Sequence, residues 1–145
     1  FRARHIGVIF QQLNLIPYLD VLGNVLIAPH FARMDRHEAR EHALELLETL
    51  GMLEYLHRPA TELSIGQQQR VAVARALVTR PEILIADEPT SALDSDNREA
   101  FMNRMLQMAA ENCTTVIFVS HDRSLQDHFD RHLDMNVLTA QGGTA

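Results

Sequence analysis

Two adjacent carboxylates, Asp87 and Glu88, follow the apolar run Ile83-Leu84-Ile85-Ala86, and Pro89 stops it. Such a run, led in by Arg80-Pro81, reads as a buried parallel strand. The carboxyl ends of strands in open α/β sheets face the crevice where ligands bind. Paired carboxylates there suit an NTPase, which needs one group to hold Mg2+ and another to activate water. On these seven residues alone, the plainer reading that the acids merely begin a loop stands equally. Thr115-Val116-Ile117-Phe118-Val119-Ser120 reads as a second central parallel strand and ends at His121-Asp122. A short strand at Ile6-Gly7-Val8-Ile9-Phe10 precedes Gln11.

A different chemistry is available at Leu63-Ser64-Ile65-Gly66-Gln67. Ser64 and Gln67 have capping-box spacing, and capping a helix accounts for that spacing by itself. The functional alternative is an anion site made by Ser64 and the amides of Ile65, Gly66 and Gln67. The helix that follows, through Val71 to Val78, is apolar almost all round and so is expected to be buried. His128 and His132 are four apart, with Asp127 and Asp130 near them, but no third metal ligand is evident.

The elements that must position these groups follow from periodicity. Val21 to Ala28 predicts a short helix ended by Pro29. Asp35 to Leu50 predicts a helix with Asp35 and Glu38 as a capping pair. Its apolar face is Ala39, Ala43, Leu46, Leu47 and Leu50, with Gly51 at the carboxyl cap. Only helices are expected between residues 20 and 80. After Thr90-Ser91-Ala92-Leu93-Asp94 comes a helix over Ser95 to Glu111, packed through Phe101, Met105, Met108 and Ala109, with Met102 and Leu106 beside them. A short helix at Ser124 to Phe129, a last strand near Asn136 to Leu138 and a frayed tail from Gln141 complete the chain. This alternation predicts an α/β fold with a parallel sheet under helical cover.

At 145 residues, 46% apolar and 22% charged, the chain can bury one core. A net charge of −6 argues against nucleic-acid binding through a basic surface. The single cysteine, Cys113, allows no internal disulfide and suggests a reducing compartment. No apolar run approaches the ~20 residues that span a bilayer. All 13 basic residues are Arg, so a phosphate loop ending in Lys is impossible within these residues.

Taken together, these motifs resemble the nucleotide-binding domain of ABC transporters. Gln11 resembles the Q-loop glutamine, Leu63 to Gln67 the signature sequence, and Ile83 to Glu88 Walker B with its catalytic glutamate. Ser91-Ala92-Leu93-Asp94 resembles the D-loop and His121 the switch histidine. Phe10-Gln11, Asn14-Leu15-Ile16-Pro17 and Gly23-Asn24-Val25 are most similar to the lipoprotein-release and macrolide-export branch. Ile65 stands where the family usually has glycine. The Walker A loop, its lysine and the aromatic residue that stacks on adenine are expected upstream of Phe1. The resemblance therefore implies a truncated P-loop NTPase core (1–20 and 80–145) plus an α-helical signature subdomain (21–79).

The same resemblance implies a subunit that binds and hydrolyses ATP, working as a head-to-tail homodimer on an integral membrane permease. It would sit in the cytoplasm, peripheral on the inner face of the plasma membrane. Asp87 would hold Mg2+ through water with Gln11 nearby, Glu88 would act as general base, and His121 would contact the γ-phosphate. Ser64, Gly66 and Gln67 would serve the nucleotide of the opposite subunit, and Asp94 would link the two sites. These residues alone are expected to bind ATP very weakly and to show no ATPase activity. Bare strand edges beside Ile117 or Ile85 are expected to drive dimers, swapped segments or a rearranged sheet. Two other readings are a soluble ABC-type ATPase of DNA repair or translation, and a helical interaction module docking through Asp35 to Leu50.

Overall fold

The computed structural model describes residues 2–141. In chain order the elements are α1 (Arg2–His5), β1 (Ile6–Ile9), α2 (Val21–Phe31), α3 (Arg36–Thr49), α4 (Ile65–Leu77), β2 (Ile83–Asp87), α5 (Ser95–Glu111), β3 (Thr115–Val119) and α6 (Met135–Gln141). Turns of 3-10 helix lie at Leu53–Tyr55, Ala60–Glu62 and Arg123–His128. The strands form one parallel sheet in the order β1-β2-β3, with Val8 opposite Ile85 and Ile85 opposite Ile117.

Helix α4 sits at the centre. Val71, Ala72, Val73, Ala74 and Leu77 are fully buried, because α2, α3 and β1 all pack against the helix. Gly7 in β1 is what lets the sheet approach. A Cβ there would meet the Ala76 carbonyl oxygen at 2.2 Å, so any side chain would push α4 off the strand. Helix α3 begins as its sequence predicts, with Asp35 accepting the His37 and Glu38 amides at 3.0 Å each. The Glu38 carboxylate does not return to the cap; it pairs with Arg80 at 2.9 Å. The helix ends in a full Schellman motif. Gly51 takes φ +67°, its N–H donates to Glu48 O at 2.9 Å, and Met52 N–H donates to Leu47 O at 2.8 Å.

Several expectations are corrected. Pro29 lies inside α2, which runs to Phe31. Proline forfeits only its own hydrogen bond, and Ala32 N–H still reaches Ala28 O at 3.0 Å. Strand β3 is an edge strand rather than a central one among the described residues. Its Ile117 and Val119 are 49% and 48% exposed, whereas Ile85 is flanked on both sides. The segment near Asn136 to Leu138 is helical, not extended. Asp134 starts the turn by accepting the Asn136 amide on its side chain and the Val137 and Leu138 amides on its carbonyl. Met102, Met105, Met108 and Ala109 form the buried face of α5, with Phe101 only half-buried. Within 21–79 the regular elements among the described residues are helices joined by turns, and Pro59 makes one isolated bridge to Asp20. Most of the tail expected from Gln141 lies outside the described residues.

His42 ties α3 to the end of α4. It is 5% exposed, and its Nδ1 lies 2.7 Å from the carbonyl oxygen of Val78, the α4 cap residue. Burial is the main cause holding the His42 imidazole below its ordinary pKa, with Arg80 adding to it. The unfolded chain therefore takes up a proton here before the folded one does. Stability contributed by neutral His42 is complete above the ordinary histidine range and is lost as pH falls through the lowered folded value. Thermal melts should show a steeper fall in Tm on acidification for the wild type than for His42→Gln; parallel curves would refute this assignment.

Candidate functional site

The parallel register makes the three strands end side by side, with Ile9 opposite Ala86 and Asp87 opposite Val119. Gln11, Asp87, Glu88 and the 120–122 loop consequently leave the sheet at one end. Gln11 is exposed just beyond β1, and Asp87 is the exposed last residue of β2. Glu88 departs from the strand with φ +47°, in the left-handed region, yet its N–H still donates to Val119 O at 2.8 Å. A non-glycine residue held there costs about 1–3 kcal/mol, which the surrounding contacts must offset.

Those contacts converge on the Glu88 carboxylate. Its Oε1 accepts the backbone N–H of His121 at 2.8 Å and lies 2.7 Å from His121 Nδ1. Its Oε2 accepts the Ser120 hydroxyl at 3.3 Å. The carboxylate is 17% exposed and the imidazole 83%, so the acid is shielded while the ring faces outward. The lightly engaged Oε2 retains lone-pair capacity for a further donor such as water.

A second group gathers at the start of α4. Ser64 Oγ accepts the Gln67 amide at 3.3 Å, and Gln67 Oε1 accepts the Ser64 amide at 3.0 Å, a complete capping box. First-turn amides such as those of Ile65 and Gly66 have no acceptor within their own helix. Open space surrounds Gly66. This end of α4 lines a cavity of about 710 Å3 together with Gly51, Asp94 and Asn97. Asp94 caps α5 by accepting Asn97 N–H at 3.0 Å and Asn97 Nδ2 at 2.8 Å, which holds its carboxyl below the usual range. Ser64, Gly66, Gln67 and Asp94 thus share one cleft. Glu88 and His121 do not line it; they form a separate cluster at the strand ends.

Four side chains hold the loops around these groups, and of them the sequence drew notice only to Asn24, as part of a family motif and without a positioning role. Gln69, 3% exposed, donates from Nε2 to the Pro89 carbonyl at 2.8 Å, one residue after Glu88. Arg75 donates to the Leu13 carbonyl at 2.6 Å and to that of Asn14 at 2.9 Å, gripping the loop after Gln11. Fully buried Asn24 accepts the Ile16 amide at 2.7 Å and donates to the carbonyls of Ile16, Leu19 and Asp20. Arg98 joins the loop before α5 to the loop after β3. For Gln69 and Arg75 a signal was present: polar residues on a helix apolar all round must find internal partners. His128 pairs with Glu99 at 3.2 Å, and His132 lies beyond the 3-10 turn, so the two histidines do not share a helix. No group of three His, Cys, Asp or Glu that could hold a metal occurs among the described residues.

Comparison with known proteins places residues 1–91 within a family model described as ABC transporter. A macrolide export ATP-binding/permease protein, MacB of Shewanella sp. (strain ANA-3), is 44% identical over 92% of this chain and 20% of its own length. The lipoprotein-releasing system ATP-binding protein LolD of Bacteroides fragilis (strain YCH46) is 38% identical over 93% of this chain and 62% of its own. The chain therefore spans less than two thirds of either relative. Among solved structures, the ATP-binding cassette MJ0796, dimeric and bound to ADP and Pi in a post-hydrolysis state, superposes with a TM-score of 0.75 at 40% identity. That match covers 88% of this chain and 56% of MJ0796.

Replacing Gln69 by Met keeps the volume and strands the Pro89 carbonyl without its donor. The variant should lose about 1 kcal/mol in urea unfolding, because the stranded carbonyl costs ~1–3 kcal/mol and removal of the buried, unpartnered Gln69 Oε1 offsets part of it. A loss within experimental error would show that another donor serves Pro89.

Proposed function

The chain belongs to the ABC transporter family, and from that premise we propose that it is part of an ATP-hydrolysing subunit that powers a membrane transporter. One observation carries the reading to the residue level. Glu88, just beyond the exposed Asp87 at the tip of the central strand, holds its carboxylate 2.7 Å from the His121 ring. A base and a phosphate sensor need that adjacency, because phosphoryl transfer is catalysed by positioning and charge neutralisation.

The residues present fit Mg2+, whose preferred partners are carboxylate and carbonyl oxygens with retained waters. Asp87 would hold it through water, with the Gln11 amide oxygen approaching from the neighbouring strand. Bound Mg2+ supplies charge neutralisation at the phosphates. Glu88 accepts the proton of the attacking water on Oε2, and His121, whose ring faces outward, contacts the γ-phosphate. Ser64, Gly66 and Gln67 serve an anion at the start of α4, where free amides and the helix dipole favour negative charge. Their separation from Glu88 within one chain suits a nucleotide shared by two copies, with Asp94 beside the cleft linking the sites. The partners of this reading are a second copy and an integral membrane permease. The location is the cytoplasmic face of the membrane. The division into a sheet core (1–20 and 80–145) and a helical part (21–79) belongs to the same reading.

In the intact protein, Glu88→Gln should lower kcat by about 10²-fold or more while ATP still binds. Unchanged turnover would remove Glu88 from the mechanism. The 145 residues in isolation should bind ATP too weakly for calorimetry to detect in the micromolar range, since they hold no lysine and no glycine-rich loop to cradle a triphosphate. Micromolar binding would mean that these residues carry their own phosphate site.

A further inference from the structure

Arg98 occupies the first turn of α5, four residues after Asp94, and reaches the loop before the helix and the loop after β3. Its Nη1 pairs with Asp122 Oδ2, and its Nη2 lies 3.4 Å from the Leu93 carbonyl. Its Nε is buried with no hydrogen-bond partner. An exposed ion pair leaves every nitrogen hydrated, so burying this one costs free energy that the two terminal contacts must offset. The guanidinium is therefore held in place rather than merely lying on the surface.

Asp122 is equally constrained. Its Oδ1 accepts the Ser124 amide at 2.9 Å and the Ser124 hydroxyl at 2.7 Å, leaving Oδ2 for Arg98. The Ser124 hydroxyl is the main cause holding its carboxyl below the usual range, with the Ser124 amide next and Arg98 contributing. The Asp122 backbone N–H donates to Ser120 Oγ at 3.0 Å, and that hydroxyl donates to Glu88 Oε2. His121, between Ser120 and Asp122, meets Glu88 Oε1 through both its backbone amide and its ring. A fixed Asp122 thus fixes the backbone on the far side of His121 and the hydroxyl on the near side.

We propose that Arg98 is a positioning residue that acts through Asp122 to hold His121 against Glu88 and ties this contact to the loop carrying Asp94. The proposal rests on the functional reading above and adds a coupling to it. Displacement of the 90–94 loop pulls on Arg98 through the Leu93 carbonyl and reaches His121 by way of Asp122. The α4 cleft, which Leu93 and Asp94 also line, is thereby linked to the Glu88–His121 cluster. A planar fork suits the task, since one rigid group addresses a carboxylate and a carbonyl together.

The test uses the intact protein with Arg98→Met, Asp122→Asn, their double variant and Arg98→Lys. Steady-state ATPase kinetics are measured beside the ring signals of His121 under histidine-selective isotope labelling. Each single variant should lower kcat by about tenfold to a hundredfold, the cost of misplacing a reacting group, with the KM for ATP within about twofold. The double variant should be no slower than the slower single one, and Arg98→Lys should recover part of the loss. His121 should change its ring signals in both single variants. Unmoved His121 signals overturn the proposal whatever happens to turnover, and so does a normal kcat or an additive double variant. If Arg98→Met does not fold, Asp122→Asn and Arg98→Lys decide by the same criteria. A wild-type protein without ATPase activity would sink the functional reading instead. The His121 signals, which need no turnover, would then judge the positioning role alone.

Discussion

Helix α4 must be buried on nearly every side, and its polar side chains must therefore find partners inside the protein. That constraint organises the rest of the molecule. Apolar residues of α2, α3 and β1 take up most of the helix surface, and Gly7 allows backbone to lie on backbone at the closest point. What remains holds two loops and helix α3. Gln69 holds the carbonyl after Glu88, Arg75 holds the loop after Gln11, and Val78 at the end accepts from His42. A buried polar group without a partner would cost about 1–3 kcal/mol, so these contacts are part of the condition for burying α4 at all. The same rod presents its amino-terminal amides to the cleft shared with Asp94. Any movement of α4 is felt simultaneously at the cleft, at the carboxylate turn and at the loop following β1.

The carboxylate cluster is built by a different logic. Parallel strands in register bring the ends of β1, β2 and β3 together without any side-chain contribution. Chemistry enters in the residue after β2. The left-handed turn at Glu88 sends the chain away from the sheet while keeping its amide in the ladder, and the side chain falls onto the amide and ring of His121. The strain is sustained because Gln69 fixes the next carbonyl and the 120–122 loop supplies donors to both carboxylate oxygens. Stored backbone strain of this kind clusters where function needs a preset geometry.

Both clusters are electrostatically one-sided in complementary ways. The strand ends gather Asp87 and Glu88, whereas the α4 start offers amides and a positive helix terminus. Cations suit the first and anions the second. A metal-bound polyphosphate satisfies both only when it is placed between a strand end and a helix start. Within one chain the two lie in different clefts, which is why the functional reading calls for a second copy.

Much of this was legible in the sequence. The apolar runs identified the three strands of the described sheet, since short β-branched stretches bounded by turn residues favour extended chain. Strand β3, with its Val-Ile-Phe-Val, is nonetheless half exposed at the edge. Ser64 and Gln67, Asp35, Gly51 and the stretch from Ser95 to Glu111 were read correctly because capping, termination and 3.6-residue periodicity are local matters. Motif order by itself pointed to the family. Locality also explains the failures. Asn136 to Leu138 reads as a strand by residue type but turns helical because Asp134 offers its acceptors first, and Pro29 removes one hydrogen bond where neighbouring ones suffice. The edge position of β3 depends on which strands pair, a property of the whole sheet. Only the tertiary structure could decide that Glu88 meets His121, that Gln69 and Arg75 restrain loops 20 and about 60 residues away, and that Arg98 links the loop before α5 to the loop after β3. Residue types fix what each group can bond, but contacts across such separations exist only once the packing of α4 and the sheet has brought the loops together.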